Sequence, residues 1–285
     1  LKPGPAPAAE AALRTPDGET LALHEWPLAS GREARAVVLL VHGIGEHAGR
    51  YRHVAARLNH EGFVVRAADH YGHGASSGVR GGLPSVMRLV DDLALVVDDT
   101  RGVHPGLPLV LLGHSLGGLV TASFVARGVR KIDALVLSSP GLDPGLSAFQ
   151  KFLVALLSRV APTLRMGNGL DDRYLSHDPA VVQAYRADPL CHDRVGARLA
   201  RFLADEGAVV QAAAPRWTVP TLLVYAGDDR LVNPAGSRRF ADAAPPAVLS
   251  ATCFAKLYHE IFNELDAAPV FEALVRWLDV RFPPA

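Results

Sequence analysis

Apolar residues along this chain fall into short unbroken runs, separated by stretches in which they recur at helical spacing. Ala36-Val37-Val38-Leu39-Leu40-Val41 is apolar without alternation, the pattern of a parallel strand covered on both faces. Residues 63–69, 108–112, 134–138, 221–225 and 251–257 read as further strands. Between them, 51–59 carries Val54 and Leu58 at helical spacing and closes at Glu61-Gly62. Residues 86–97 place Leu89, Leu93 and Val96-Val97 on one helical face, 119–126 follow as a small-residue-rich helix, and 235–244 and 270–280 read as two more. Near the start, Thr15-Pro16-Asp17-Gly18-Glu19 is a turn signal between short runs at 12–14 and 21–26, which predicts an N-terminal hairpin. The alternation predicts an α/β fold with a mostly parallel central sheet and helices on both faces. It breaks between Pro140 and Trp217, where 149–160 and 197–202 are helical and no strong strand run occurs. The expected organisation is a flexible lead-in over 1–14 and one domain over 15–285, with a helical insertion at about 141–217.

Composition narrows this picture only at the margins. A chain of 285 residues, 49% hydrophobic and 20% charged, can bury a substantial core. Lys plus Arg balance Asp plus Glu at 29 each, with no block of like charge, so nothing points to a nucleic-acid partner. No apolar run approaches the roughly 18 residues of a membrane span. The Pro- and Ala-rich start lacks the layout of a signal peptide. Cys191 and Cys253 lie far apart; they suggest no disulfide framework, fit a reducing cytoplasm, and read as inert small hydrophobes.

Chemistry enters at Gly113-His114-Ser115-Leu116-Gly117, a Gly-x-Ser-x-Gly placed between a predicted strand and a predicted helix. There a serine sits on a sharp turn with its Oγ exposed, and the glycines let strand and helix approach. A serine hydroxyl needs a base, and the base needs a carboxylate to fix its tautomer. In such a sheet these groups come from loops after later strands. Gly227-Asp228-Asp229-Arg230 follows one strand and Tyr258-His259-Glu260 the next, so the order Ser, Asp, His is that of the α/β-hydrolases. The pattern leaves Asp228 and Asp229 open. An oxyanion hole would take the N–H of Leu116 and that of Ile44, in the loop after the first central strand. Losing one such donor costs about 3–4 kcal/mol of transition-state stabilisation. Six histidines lie between His42 and His73, but no nearby cysteine or helical His-Glu-x-x-His supports a metal site.

With those residues in place, the chain resembles the monoacylglycerol lipase and lysophospholipase-like branch of the α/β-hydrolases, from about residue 15 to 282. The signature is His42-Gly43-Ile44-Gly45-Glu46-His47-Ala48-Gly49-Arg50-Tyr51, joined by Asp69-His70-Tyr71-Gly72-His73-Gly74-Ala75-Ser76, Asp229-Arg230-Leu231 and Tyr258-His259. The resemblance favours Asp229 over Asp228 as the acid. It makes the insertion a helical cap, in which Tyr185-x-x-Asp188-Pro189-Leu190 also matches. It implies a serine esterase acting on monoacylglycerols or lysophospholipids; the mechanism needs no cofactor, and Glu46, Arg50 and Tyr185 are candidate substrate contacts. Glu46 and Arg50 either pair to hold the oxyanion loop or meet a polar headgroup. Two positions depart from the family. Phe262 stands where some members carry a second His near the glycerol group, and residues 149–169 match no family pattern. The stripe Phe149, Phe152, Leu153, Leu156, Leu157 and Val160 reads first as buried or lining an acyl tunnel, and second as a face for transient contact with a membrane or micelle. The alternatives are a short-chain carboxylesterase and a non-catalytic binding protein on the same fold. A dehalogenase or epoxide hydrolase would carry Asp at position 115.

Overall fold

Four of the predicted runs lie side by side at the centre of one eight-stranded sheet in the computed structural model, which describes residues 6, 7 and 9–284. In chain order the elements are β1 (Ala9–Arg14), β2 (Thr20–Trp26), β3 (Ala36–Val41), α1 (Arg52–His60), β4 (Phe63–Ala68), α2 (Arg88–Val103), β5 (Leu109–His114), α3 (Leu116–Ala126) and β6 (Ala134–Ser138). They continue with α4 (Ala148–Val160), β7 (Arg165–Gly167), α5 (Pro179–Ala187), β8 (Arg194–Gly196), α6 (Ala197–Ala213), β9 (Thr221–Ala226), α7 (Ala235–Ala243), β10 (Leu249–Phe254) and α8 (Ala268–Arg281). The sheet order is β1-β2-β4-β3-β5-β6-β9-β10, antiparallel at β1/β2 and β2/β4 and parallel elsewhere. This is the α/β-hydrolase fold.

Every residue of β3, β5, β6 and β9 is buried, as an unbroken apolar run requires. The pleat divides β3 between two cores. Val37, Leu39 and Val41 face one containing Leu89 and Leu93 of α2, Leu119 and Val120 of α3 and Phe202 of α6. Val38 and Leu40 face the other, with Val54 and Leu58 of α1 and Leu274 and Trp277 of α8. Both faces being covered, the C-terminal ends of the strands are where loops can gather reactive groups.

Several boundaries differ from expectation. β1 starts at Ala9, inside the stretch expected as a lead-in; residues 1–5 and 8 lie outside the described ones. The last strand ends at Phe254 rather than 257, because a turn begins there, with the Leu257 N–H donated to the Phe254 carbonyl. The 141–217 segment contains the short antiparallel pair β7–β8, too brief for a periodicity signal. Its final helix, α6, buries Leu199, Phe202 and Val210 in the core, and its buried Glu206 accepts hydrogen bonds from Ser123 and Arg127. α4 overturns the favoured reading of its stripe: no residue of this helix is buried, and Phe149, Phe152 and Val160 are 68%, 62% and 68% exposed. Periodicity reveals an apolar face but not what covers it.

Candidate active site

The sharp turn between β5 and α3 is built by sequence. Ser115 has φ 54° and ψ −117°, a left-handed conformation that costs a non-glycine residue about 1–3 kcal/mol. Its neighbours make the turn feasible: a Cβ on Gly113 would collide with the Gly117 carbonyl and Thr121, and one on Gly117 with the Val41 and His42 carbonyls. Only glycine lets α3 pass so close to β3 and β5. Ser115 is 7% exposed and lines a pocket of about 90 Å³.

His259 lines the same pocket, from the loop after β10. Its Nδ1 lies 2.7 Å from Asp229 Oδ2, and both side chains are almost fully buried. Asp229 sits in the turn after β9, where the Leu231 and Val232 N–H groups both donate to Oδ1 at 2.9 Å. Oδ2 is thereby left for the imidazole. Burial alone would raise the Asp229 pKa, but the His259 charge and these hydrogen bonds hold it below the usual carboxylate range. Burial alone would lower that of His259; Asp229, then Glu260 and Glu46, carry it above the ordinary histidine value. Asp228, the alternative acid, is half exposed and paired with Arg230.

The loop after β3 supplies the opposite wall. Ile44 lines the pocket, whereas Leu116 heads α3 directly behind Ser115. Among the described residues neither N–H is taken up by a hydrogen bond. The loop is anchored from beneath, because Glu46 Oε1 accepts both the Gly43 N–H at 2.7 Å and the Tyr51 hydroxyl at 2.6 Å. Arg50 reaches Glu46 Oε2 and Glu260 Oε1, each at 2.6 Å, and Glu260 Oε2 at 2.8 Å. Two buried carboxylates thus share one guanidinium. Burial pushes Glu46 upward, with Glu260 adding to it against Arg50. Glu260 goes the other way: burial works against ionisation, but Arg50 outweighs it and brings the carboxyl down to about 2. Glu46 and Arg50 therefore hold the loop and also line the pocket. Tyr185 lines it too, with its hydroxyl donating to the Gly45 carbonyl at 3.3 Å and its ring under Arg50.

The family-like histidines work as scaffold. His42 Nδ1–H donates to the Gly43 carbonyl, while its Nε2 accepts the His70 N–H at 2.9 Å. Burial brings His42 down to about 3 and keeps His70 and His73 well below the ordinary value, so all three stay neutral. Asp69 ties the same region together by accepting the Ala48 and Ala75 N–H groups, each at 2.8 Å. Among the described residues, one trio brings metal-capable donor atoms close: His47, Asp188 and Cys191. Its chemistry does not suit a metal. His47 Nδ1 accepts the Gly49 N–H, so Nε2 carries the proton given to Asp188, and burial pushes the Cys191 thiol up to about 12. Cys253 is exposed, not buried as a small hydrophobe would be, because β10 is an edge strand.

Phe262 is 3% exposed and packs against Phe271, so it offers the pocket no polar group. Sequence reasoning missed His114 and Glu260. His114 donates or accepts at Ser138 Oγ, 3.0 Å away, and its ring lies 4.8 Å from that of His259. Both follow directly on residues already singled out in sequence, which was the only signal available.

Comparison with known proteins places the chain in a family. The family model described as "Serine aminopeptidase, S33" (Hydrolase_4) matches residues 32–266. A monoacylglycerol lipase of Mycolicibacterium smegmatis is 38% identical over 249 residues, 86% of this chain and 89% of that protein. Phospholipase YtpA of Bacillus subtilis is 31% identical over 86% of this chain and 95% of its own. Among solved structures, the monoacylglycerol lipase of Paleococcus ferrophilus superposes with a TM-score of 0.83 at 34% identity, covering 92% of this chain and 99% of that one. The chain belongs to the Hydrolase_4 family of α/β-hydrolases, and within it is similar to monoacylglycerol lipases.

Proposed function

We propose that this protein hydrolyses carboxylic esters through an acyl-enzyme on Ser115, with monoacylglycerols or lysophospholipids as its substrate class. One observation carries the reading: the buried 2.7 Å bond from His259 to Asp229 belongs to an imidazole that shares a pocket with a serine held in a strained left-handed turn. Ser115 Oγ attacks the ester carbonyl as His259 Nε2 takes its proton. Asp229 keeps the Nδ1–H tautomer and stabilises the imidazolium, and the Ile44 and Leu116 N–H groups receive the oxyanion. His259 returns the proton to the leaving alcohol, and water then repeats the sequence to release the acid.

The pocket lining supports a glycerol-based leaving group. Glu46, Glu260, Asp172 and Asp193 line it with Arg50, and Leu170, Leu175 and Leu231 supply its apolar part. Carboxylates accept hydrogen bonds from glycerol hydroxyls, and the Arg50 guanidinium among them can face a phosphodiester. Turnover of 1-monoacylglycerols of graded chain length, beside lysophosphatidylcholine and short soluble esters, tests this. Medium- or long-chain monoacylglycerols are expected to give the highest kcat/KM. Turnover confined to short esters would make the protein a general carboxylesterase.

Catalysis requires the neutral imidazole, and His259 is held above its ordinary value. The acid limb of kcat/KM against pH is therefore expected to lie above roughly 6.5. Glu260→Gln, which removes one of the charges that raise His259, should move that limb down. A wild-type limb below 6.5 would contradict the upward shift of His259.

α4 fits a lipid surface. Phe149, Phe152, Leu156 and Val160 form one exposed face, and Lys151 and Arg159 flank it for anionic headgroups. No described helix is long and apolar enough to cross a membrane, so contact would be peripheral. Replacing Phe149 and Phe152 together with Asp is expected to weaken binding to anionic phospholipid vesicles about tenfold or more. Turnover of monoacylglycerol in vesicles should fall with it, while a soluble short ester is hydrolysed as before. Unchanged vesicle binding would remove this role from α4.

A further inference from the structure

Glu264 lies five residues beyond His259 and its side chain is 1% exposed, yet the acyl-transfer chemistry does not use it. A carboxylate taken out of water must recover hydrogen-bond donors, and this one does so from two separate segments. Oε1 accepts the Tyr258 N–H at 2.7 Å, from the residue just before His259, and His177 Nδ1 at 2.7 Å. Oε2 accepts the His177 N–H at 3.1 Å and the Leu265 N–H at 3.3 Å, while the Ser176 hydroxyl beside it donates to the Asn263 carbonyl at 2.9 Å. One buried carboxylate thus joins residues 176–177, which lead into α5, to both ends of the His259 loop.

The contacts around it run the same way. The His259 N–H points to the Tyr174 carbonyl at 3.4 Å, and the Glu260 N–H donates to the Leu175 carbonyl at 2.8 Å. The three successive N–H groups of residues 258, 259 and 260 are therefore all held from outside that tripeptide, by Glu264 and by the 174–175 backbone. The His177 ring stacks on Tyr258 with centroids 3.6 Å apart and planes 19° from parallel, and Tyr174 meets the other side of the cluster edge-on at 5.5 Å. Arg230, beside Asp229, lies 4.9 Å from the Tyr174 ring centroid. Residues 174–177 consequently touch the loops of both members of the His259–Asp229 pair.

We propose that Glu264 is a positioning residue, which clasps segment 174–177 to the His259 loop so that this part of the cap and the base move as one body. The proposal rests on His259 being the base. Its consequence is that cap opening over the pocket must hinge elsewhere than at 174–177, since displacement there would carry His259 away from Ser115.

The test compares Glu264→Ala and Glu264→Gln with the wild type on a soluble short ester, with active sites counted by a fluorophosphonate. A second readout is the far-downfield proton resonance of the His259–Asp229 hydrogen bond. Glu264→Ala is expected to lower kcat per active site roughly 10- to 100-fold with KM nearly unchanged, as a small misplacement of a catalytic group does. The downfield resonance should broaden or shift. Glu264→Gln keeps one acceptor for the Tyr258 N–H and should recover part of kcat; if the alanine variant does not fold, a reduced kcat and shifted resonance in the glutamine variant carry the test. Wild-type kcat per active site in the folded variants, or a lower kcat with an unaltered resonance, would overturn the proposal. His259→Ala is the separate control: activity surviving in it would remove the base assignment instead.

Discussion

Ser115→Ala is expected to lower kcat for every ester on the order of a millionfold, leaving a folded protein. The effect is large because the nucleophile, unlike an orienting group, has no partial substitute. Water can still reach the carbonyl, and the Ile44 and Leu116 N–H groups would still stabilise an oxyanion. A residual rate roughly 10³-fold or more above the uncatalysed one should therefore survive. The backbone at position 115 is already held in its left-handed turn by the close passage of α3 beneath the Val41 and His42 carbonyls. Alanine changes only the Oγ, so the thermal midpoint should stay near that of the wild type. Turnover of a soluble chromogenic ester, with the melting curve alongside, checks both halves.

Asp229→Asn is expected to lower kcat by roughly 10⁴-fold while keeping the loop intact. The geometry says why. The Leu231 and Val232 N–H groups both donate to Oδ1, so an asparagine keeps its carbonyl oxygen there and turns its amide toward His259. An NH₂ in place of Oδ2 makes Nδ1 an acceptor and puts the ring proton on Nε2, the atom that must take the proton of Ser115. The variant fixes the wrong tautomer. The same change at Asp228, which pairs with Arg230 at the surface, should leave kcat within about twofold. Equal losses at both positions would mean that the acid has been misassigned.

The two carboxylates show how much of the site could be read from sequence. The turn after β9 was legible because a strand ends before Gly227, but adjacent aspartates look alike in the pattern itself, and only the family resemblance favoured Asp229 before the fold showed which one faces inward. β3, β5, β6 and β9 were legible for a simpler reason. An unbroken apolar run has one stable environment, the middle of a covered sheet, so its burial follows from its composition. α4 shows the reverse case, since its stripe specified a face, yet no residue of the helix is buried. Glu264 and His114 were illegible because their roles arise only where segments distant in sequence meet, the one at 176–177 and the other beneath His259. Glu46 lay between. Its place in the loop after β3 marked it, yet its double duty as anchor of Gly43 and lining of the pocket needed the positions of Tyr51 and Arg50.

The central step is formation of a covalent acyl-enzyme at Ser115, and the most direct measurement is to trap one. Brief mixing with a medium-chain ester, acid quenching and mapping of the acylated peptide by mass spectrometry should place one acyl group on Ser115, and none should form in Ser115→Ala. Rapid ester turnover with no adduct at Ser115, or with the acyl group on another residue, would contradict the mechanism proposed here.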